Sequence, residues 1–135
     1  MSSEKAMYAP LESYFHSRGF QTFREVPLLT RRIDLLGVNH SDIAAVELKV
    51  KNWQKALQQA LSYRLCANKV YVAVSKEFVH RVDTELFRHY GIGILSVDGD
   101  VRPVLEASDS KIIHSSLLAM VLKYTEQGKS KKAGR

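Results

Sequence analysis

The sequence predicts a single α/β domain in which a central mixed β-sheet is flanked by helices. At 135 residues the chain can bury, as one domain, about two-thirds of the surface that its unfolded state exposes. Segments with strand patterns alternate with amphipathic segments along the chain, which is typical of α/β proteins. The stretch Lys69–Ser75 is short and almost wholly apolar, as expected for a strand that is buried on both faces.

The predicted order of elements is α-β-β-β-α-β-α-β-β-α. Helices are indicated by apolar residues at steps of three and four, and strands by alternation or by apolar runs between turn signals. The first strand is expected to end at Pro27, and Asp109 is expected to cap the last helix. The predicted helices are 4–18, 53–67, 77–90 and 109–125, and the predicted strands are 20–26, 31–38, 43–50, 69–75, 92–97 and 101–105.

The formal charge of +6 is unevenly distributed along the chain. Four basic residues and no acidic residue lie in the segment 127–135, and subtracting these four charges leaves a body of +2. We expect residues 1–126 to form the domain and residues 127–135 to form a basic, flexible tail. Such a tail is either a solvated end or an arm that binds a polyanion through counterion release. The four residues are Lys129, Lys131, Lys132 and Arg135.

The single cysteine, Cys66, excludes an intramolecular disulfide and a cysteine-based zinc site. Its apolar neighbours predict a small buried thiol. The N-terminus lacks the pattern of a signal peptide, and no apolar run approaches the length of about 18 residues that a membrane span requires. These observations predict a soluble, cytoplasmic protein without a membrane partner.

The strand predicted at 43–50 carries its charged residues on one face. Because side chains alternate along a strand, Glu47 and Lys49 share a face and the opposite face is fully apolar. Asp34 lies in the preceding strand, and the polar turn at 39–42 that joins the two strands has the size of a hairpin loop. Asp34 and Glu47 are therefore expected to meet across the strand pair.

Two carboxylates and a lysine are costly to bury unless they bind something. Carboxylate pairs bind hard divalent cations such as Mg²⁺ or Mn²⁺, with waters or phosphate completing the shell. Lys49 on the same face can orient or deprotonate a nucleophile, or stabilise developing charge. The next helix places Gln59 and Tyr63, four residues apart, on one side, where Gln59 can orient a water or a phosphate oxygen.

Asp34, Glu47-x-Lys49 and Gln59-x-x-x-Tyr63, on strand, strand and helix, resemble the PD-(D/E)XK nuclease superfamily. Its restriction-endonuclease-like fold is shared by Holliday-junction resolvases and helicase-linked exonucleases. The resemblance covers roughly residues 4–97 and implies an αβββαβ core, to which an αββα extension would be added. Ile33 stands where the motif has proline. Either Gln58 or Gln59 can be the motif glutamine, and the spacing to Tyr63 favours Gln59.

The resemblance implies Mg²⁺-dependent hydrolysis of DNA phosphodiester bonds. Asp34 and Glu47 would bind the metal, with the Leu48 carbonyl as a further ligand. Lys49 would act on the attacking water and Gln59 would support the site. Glu12 in the first helix, or alternatively Glu4, would assist through the metal shell. The residues expected to contact nucleic acid are Arg31, Arg32, Lys51, Lys55, Tyr63 and Arg64.

Two alternatives stay open at this point. The charged residues could form a ladder of salt bridges on a solvated sheet face, with Asp34 paired to Lys49 and Glu47 paired to Lys51 or Arg32. The chain could also be a non-catalytic nucleic-acid-binding or interaction module on the same fold. A homodimer is plausible because cutting both strands of a duplex needs two sites. Trp53 is expected to pack at a helix start, with stacking on a base as the alternative.

Overall fold

The centre of the protein is a six-stranded mixed sheet with the strand order β1-β2-β3-β4-β5-β6. The structure, a computed structural model, describes the backbone of residues 3–133 and the side chains of residues 3–127. The strands are β1 (Gln21–Leu28), β2 (Arg31–Val38), β3 (Ile43–Lys49), β4 (Lys69–Ser75), β5 (Gly93–Val97) and β6 (Val101–Leu105). The helices are α1 (Tyr8–His16), α2 (Trp53–Ala60), α3 (Thr84–Tyr90) and α4 (Ser115–Ala133), and 3₁₀ turns lie at Lys5–Met7, Leu61–Leu65 and Val79–Arg81.

The type of strand pairing changes twice across the sheet. β1, β2 and β3 form an antiparallel meander, β3, β4 and β5 are parallel, and β6 is antiparallel to β5. Parallel neighbours need a crossover connection, and α2 and α3 provide the two that this sheet requires. The α/β class, the mixed sheet and the order of elements predicted from the sequence are confirmed.

Helices cover both faces of the sheet, and an apolar cluster lies between each face and its helices. Met7, Leu11 and Phe15 of α1 and its preceding turn are buried in one cluster, which also contains Val46 of β3. The other cluster joins α2, α3 and α4 to the opposite face, where Ala45 of β3 contributes. The side-chain parity predicted for β3 is therefore confirmed.

Three of the element boundaries that differ from prediction have a local reason. Pro27 lies inside β1, which is tolerated because β1 is an edge strand and one side of its backbone needs no partner. α3 begins after Asp83, whose side chain accepts a hydrogen bond from the Leu86 N–H at 3.2 Å. Asp109 caps no helix, because its carboxylate pairs with Lys69 at 2.9 Å and α4 begins later.

The C-terminal prediction falls largely outside the described side chains. The backbone of α4 continues to Ala133, whereas residues 134–135 and the basic side chains of the tail lie outside the described part. Cys66 is buried, as expected. Among residues 3–133, none of the helices has the length and apolar character needed to cross a membrane.

Candidate active site

The strands β2 and β3 separate at one end of their ladder, and the two predicted carboxylates lie next to each other in this fork. The last pair of this ladder is Leu35 with Val46, so Asp34 and Glu47 are the next residues outward on the two strands. Asp34 Oδ2 accepts a hydrogen bond from the Leu48 N–H at 2.8 Å. Because the N–H and C=O of a strand residue point to the same edge, the Leu48 carbonyl also opens toward the fork.

Glu47 is held by Tyr63 in a buried position. Glu47 is 4% exposed and Tyr63 is 1% exposed. The Tyr63 hydroxyl donates to Glu47 Oε1 at 2.5 Å, and it also lies 3.2 Å from the Arg32 carbonyl oxygen. A phenol has one proton, so it serves one of these two acceptors at a time.

Burial raises the pKa of both carboxyl groups. For Glu47 the pKa is raised to about 7 by burial, which outweighs the Tyr63 hydrogen bond, and the negative charge of Asp34 raises it further. The pKa of Asp34 is raised by burial against the opposing hydrogen bond from the Leu48 N–H. Near neutral pH Glu47 is therefore partly protonated, and a cation that displaced this proton would gain two carboxylate ligands.

The carboxylates open into a polar cleft of about 370 Å³ that also holds the predicted lysine. Lys49 follows Glu47 by two positions, and its Nζ lies 3.9 Å from Glu4 Oε2. Its positive charge lowers the pKa values of Asp34 and Glu47. The cleft is lined by Glu4, Arg31, Arg32, Asp34, Glu47, Lys49, Gln59 and Tyr63.

Gln59 faces this cleft with an unsatisfied carbonyl. Its Oε1 is buried and has no hydrogen-bond partner among the residues described. A buried acceptor without a donor costs about 1–3 kcal/mol, so Gln59 fits a position that awaits a water or another ligand. Asn52 caps the start of α2 through the Lys55 N–H at 3.2 Å, which brings Gln59 over the fork after two helical turns.

The donor set fits a hard divalent cation. No group of three or more His, Cys, Asp and Glu side chains that could hold a metal occurs in the described part of the chain. Magnesium, however, commonly uses one or two carboxylates and takes its other ligands from waters and phosphate. Asp34, Glu47 and the Leu48 carbonyl would provide the protein share of such a shell.

Glu12 is not at the cleft, which corrects one predicted role. Its carboxylate pairs with the Arg24 guanidinium through two hydrogen bonds of 2.6 and 2.9 Å. Glu4, the alternative to Glu12, lines the cleft instead. A signal for this exists in the sequence, because Glu4 continues the stripe of Met7 and Leu11 that faces the sheet, whereas Glu12 lies beside that stripe.

Two of the predicted nucleic-acid contacts are also corrected. Tyr63 is enclosed in the core and holds Glu47, so its ring cannot stack on a base. Arg64 lies away from the cleft, with its guanidinium 5.6 Å from the centre of the Tyr90 ring. Arg31 and Arg32 line the cleft and are exposed, and their contact with nucleic acid stays a prediction.

The last two residues expected to contact nucleic acid, Lys51 and Lys55, are exposed but do not line the cleft. Trp53 packs against Phe87, with ring centres 5.9 Å apart, as expected for packing at the start of a helix.

The alternative of a solvated salt-bridge ladder is wrong, because Glu47 is buried and neither it nor Asp34 forms a salt bridge among the described side chains.

Two neighbours of Asp34 were not expected from the sequence. The Tyr8 hydroxyl donates to the Asp34 carbonyl oxygen at 3.1 Å. Glu25 and Asp34 lie at a gap in the ladder between β1 and β2, and the charge of Glu25 raises the pKa of Asp34. Glu25 has a φ of 52°, and strand alternation carries no signal for such a local distortion.

Comparison with known proteins reveals similarity in structure alone. No family model matches the chain, and no curated protein matches it. A protein of unknown function from Silicibacter pomeroyi matches with a TM-score of 0.79 over 98% of this chain and 90% of its own, at 16% identity. The two chains share a fold. SfsA from Pyrococcus furiosus, solved in complex with Ca²⁺, matches with a TM-score of 0.48 over 77% of this chain and 64% of its own, at 12% identity.

Proposed function

We propose that this protein is a metal-dependent nuclease of the PD-(D/E)XK type that hydrolyses DNA phosphodiester bonds with Mg²⁺ or Mn²⁺. The observation that carries the proposal is the buried Glu47 beside the half-buried Asp34, placed at one strand end with Lys49 and the unpartnered carbonyl of Gln59. A purely structural pair would not need an unsatisfied amide in a polar cleft beside it.

The reaction would use four of the residues that line the cleft, namely Asp34, Glu47, Lys49 and Gln59. A divalent cation held by Asp34, Glu47 and the Leu48 carbonyl would lower the pKa of a water and neutralise charge on the scissile phosphate. Lys49 would orient or deprotonate the attacking water. The Gln59 carbonyl would accept a hydrogen bond from that water and hold it in line.

The basic side chains favour a polyanionic substrate. Arg31 and Arg32 line the cleft, are exposed, and form no salt bridge among the side chains that the structure describes. Exposed guanidinium groups without a carboxylate partner are suited to bind phosphate oxygens on either side of the scissile bond. A homodimer would supply a second cleft for the other strand of a duplex.

The test is a cleavage screen on plasmid, linear and four-way-junction DNA with Mg²⁺ and with Mn²⁺. We expect Lys49→Ala to lower the cleavage rate by about 10²- to 10⁴-fold with little loss of DNA affinity, because this change removes proton transfer and charge stabilisation. Lys69→Ala is the matched control, since Lys69 lies on the adjacent strand and pairs with Asp109.

Equal loss of cleavage and binding in Lys49→Ala would contradict the role assigned to this lysine. Ca²⁺ in place of Mg²⁺ should preserve binding and prevent turnover. DNA binding with steep salt dependence, but without product under either Mg²⁺ or Mn²⁺, would instead favour a non-catalytic binding module on the same fold.

A further inference from the structure

The tip of the hairpin formed by β1 and β2 carries an unusual residue. Leu28 pairs with Arg31, so Leu29 and Thr30 alone form the turn. Leu29 is 68% exposed, which is more than the 49% of Val104 on the edge strand β6. Leu29 also has a φ of 56°, a left-handed conformation in which a leucine Cβ is crowded by its own backbone.

Folding alone does not account for a leucine at this position. Two-residue hairpin turns that need positive φ strongly favour asparagine, aspartate or glycine. An exposed leucine gains little from burial and adds strain to the turn. Such departures from the locally preferred residue are expected at functional positions.

The tip projects beside the candidate active site. β2 pairs with β3 only from Leu35 onward, so residues 31–34 extend beyond β3 together with β1. Asp34 lies five residues from Leu29, which is at most about 17 Å at the rise of a strand. Arg31 and Arg32 lie between them and line the cleft. The hairpin thus presents an apolar tip, two arginines and a carboxylate in a row.

We propose that Leu29 is a wedge that inserts between bases of the bound nucleic acid and unstacks them. This inference rests on the proposed nuclease function. Apolar side chains such as leucine unstack base steps in this way when neighbouring basic groups hold the phosphates. Since a duplex rises about 3.4 Å per nucleotide along its axis, a hairpin laid along the axis places the wedge about four to five nucleotides from the phosphate at Asp34 and Glu47.

Replacement of Leu29 by asparagine separates the wedge from folding. Asparagine is polar and adopts positive φ more readily than leucine, so Leu29→Asn should be at least as resistant to urea as the native protein. Val104→Asn removes a comparable exposed apolar side chain from β6 and is the matched control.

Unstacking is measured by the fluorescence of 2-aminopurine placed at several positions in a DNA duplex, with Ca²⁺ present. The native protein and Val104→Asn should increase the fluorescence at saturation, and Leu29→Asn should not. Leu29→Asn should also cut paired duplex about tenfold more slowly than the native protein, and a mismatch four to five nucleotides from the cut should restore the rate.

The outcomes distinguish the wedge from the nuclease. Cleavage by the native protein without any fluorescence increase, or an equal increase with Leu29→Asn, overturns the wedge and leaves the nuclease intact. A Leu29-dependent increase without cleavage under Mg²⁺ or Mn²⁺ supports the wedge and contradicts the nuclease. Absence of DNA binding overturns both.

Discussion

Glu47 is the residue whose protonation connects the stability of the fold to the function of the cleft. It is buried, accepts the Tyr63 hydroxyl and faces Asp34. The fold therefore keeps a carboxyl group where its ionised form is disfavoured. This arrangement is unfavourable in the free protein, and the proposed cation would make it favourable by neutralising the pair.

The stability of the fold should depend on pH through Glu47. The pKa of Glu47 is raised from 4.5 to about 7, so the folded protein binds more protons than the unfolded chain between these values. The contribution of Glu47 to the free energy of unfolding therefore falls as the pH rises through this window, by about 3 kcal/mol in total. Below about pH 4.5 the penalty is absent, and above about pH 7 it is complete.

Glu47→Gln should remove this penalty because glutamine is neutral and of similar shape. We expect the variant to match the native protein in urea unfolding near pH 4.5 and to exceed it in stability at pH 8. An identical pH profile in the two proteins would mean that Glu47 ionises without cost. In the native protein, Mg²⁺ should restore stability at pH 8 and have little effect at pH 5.

Among the elements, the splayed pair of β2 and β3 creates the site. Their ladder stops at Leu35 and Val46, and beyond it β2 continues with β1 while β3 continues with β4. Polar groups of the two strands that would otherwise pair are free to face the cleft. The Asp34 side chain substitutes for one missing ladder bond by accepting the Leu48 N–H.

The opposite half of the sheet depends on close approach between β4 and β5. A Cβ added at Gly93 would lie 2.5 Å from the Tyr71 ring and 2.8 Å from the Ala107 backbone nitrogen. We therefore predict that Gly93→Ala lowers the free energy of unfolding by about 2–3 kcal/mol in urea denaturation.

Gly37→Ala is the comparison for Gly93→Ala within the same sheet. Its added Cβ would meet the Phe20 side chain at 3.1 Å, and this ring is only partly buried and can move. The expected loss is less than about 1 kcal/mol. Equal losses for the two variants would show that the backbone contact at Gly93 has no special weight.

At the scale of the whole molecule, the net positive charge is concentrated near the C-terminus. The four basic residues of 127–135 account for most of the formal charge of +6. If they bind phosphates, the plot of log affinity against log salt has a negative slope to which all four contribute. Replacing all four with glutamine should make this slope shallower, by at most about 3.6. Fluorescence anisotropy with labelled duplex DNA between low and moderate salt measures this slope.

A variant that exchanges lysine and arginine at these four positions keeps the charge and should keep the slope. An unchanged slope in the glutamine variant would identify 127–135 as a solvated end. The other predictions do not depend on this result, because the cleft, Lys49 and Leu29 all lie within residues 3–126.

Local periodicity in the sequence determined the class of fold and the centre of the candidate site. Alternation along β3 is a property of any extended chain, so the shared face of Glu47 and Lys49 could be predicted before any contact was known. Because a hairpin-sized turn joins β2 to β3, Asp34 could be placed opposite Glu47 from the sequence as well. The helical spacing placed Gln59 near them.

Only the tertiary structure decided which distant residues complete the site. The packing of α1 brought Glu4 to Lys49 and left Glu12 with Arg24. Tyr63 became a buried donor to Glu47 because α2 and the turn after it lie on that face of the sheet. Contacts between segments remote in sequence depend on how helices rotate and cross the sheet, and local periodicity carries no information about either.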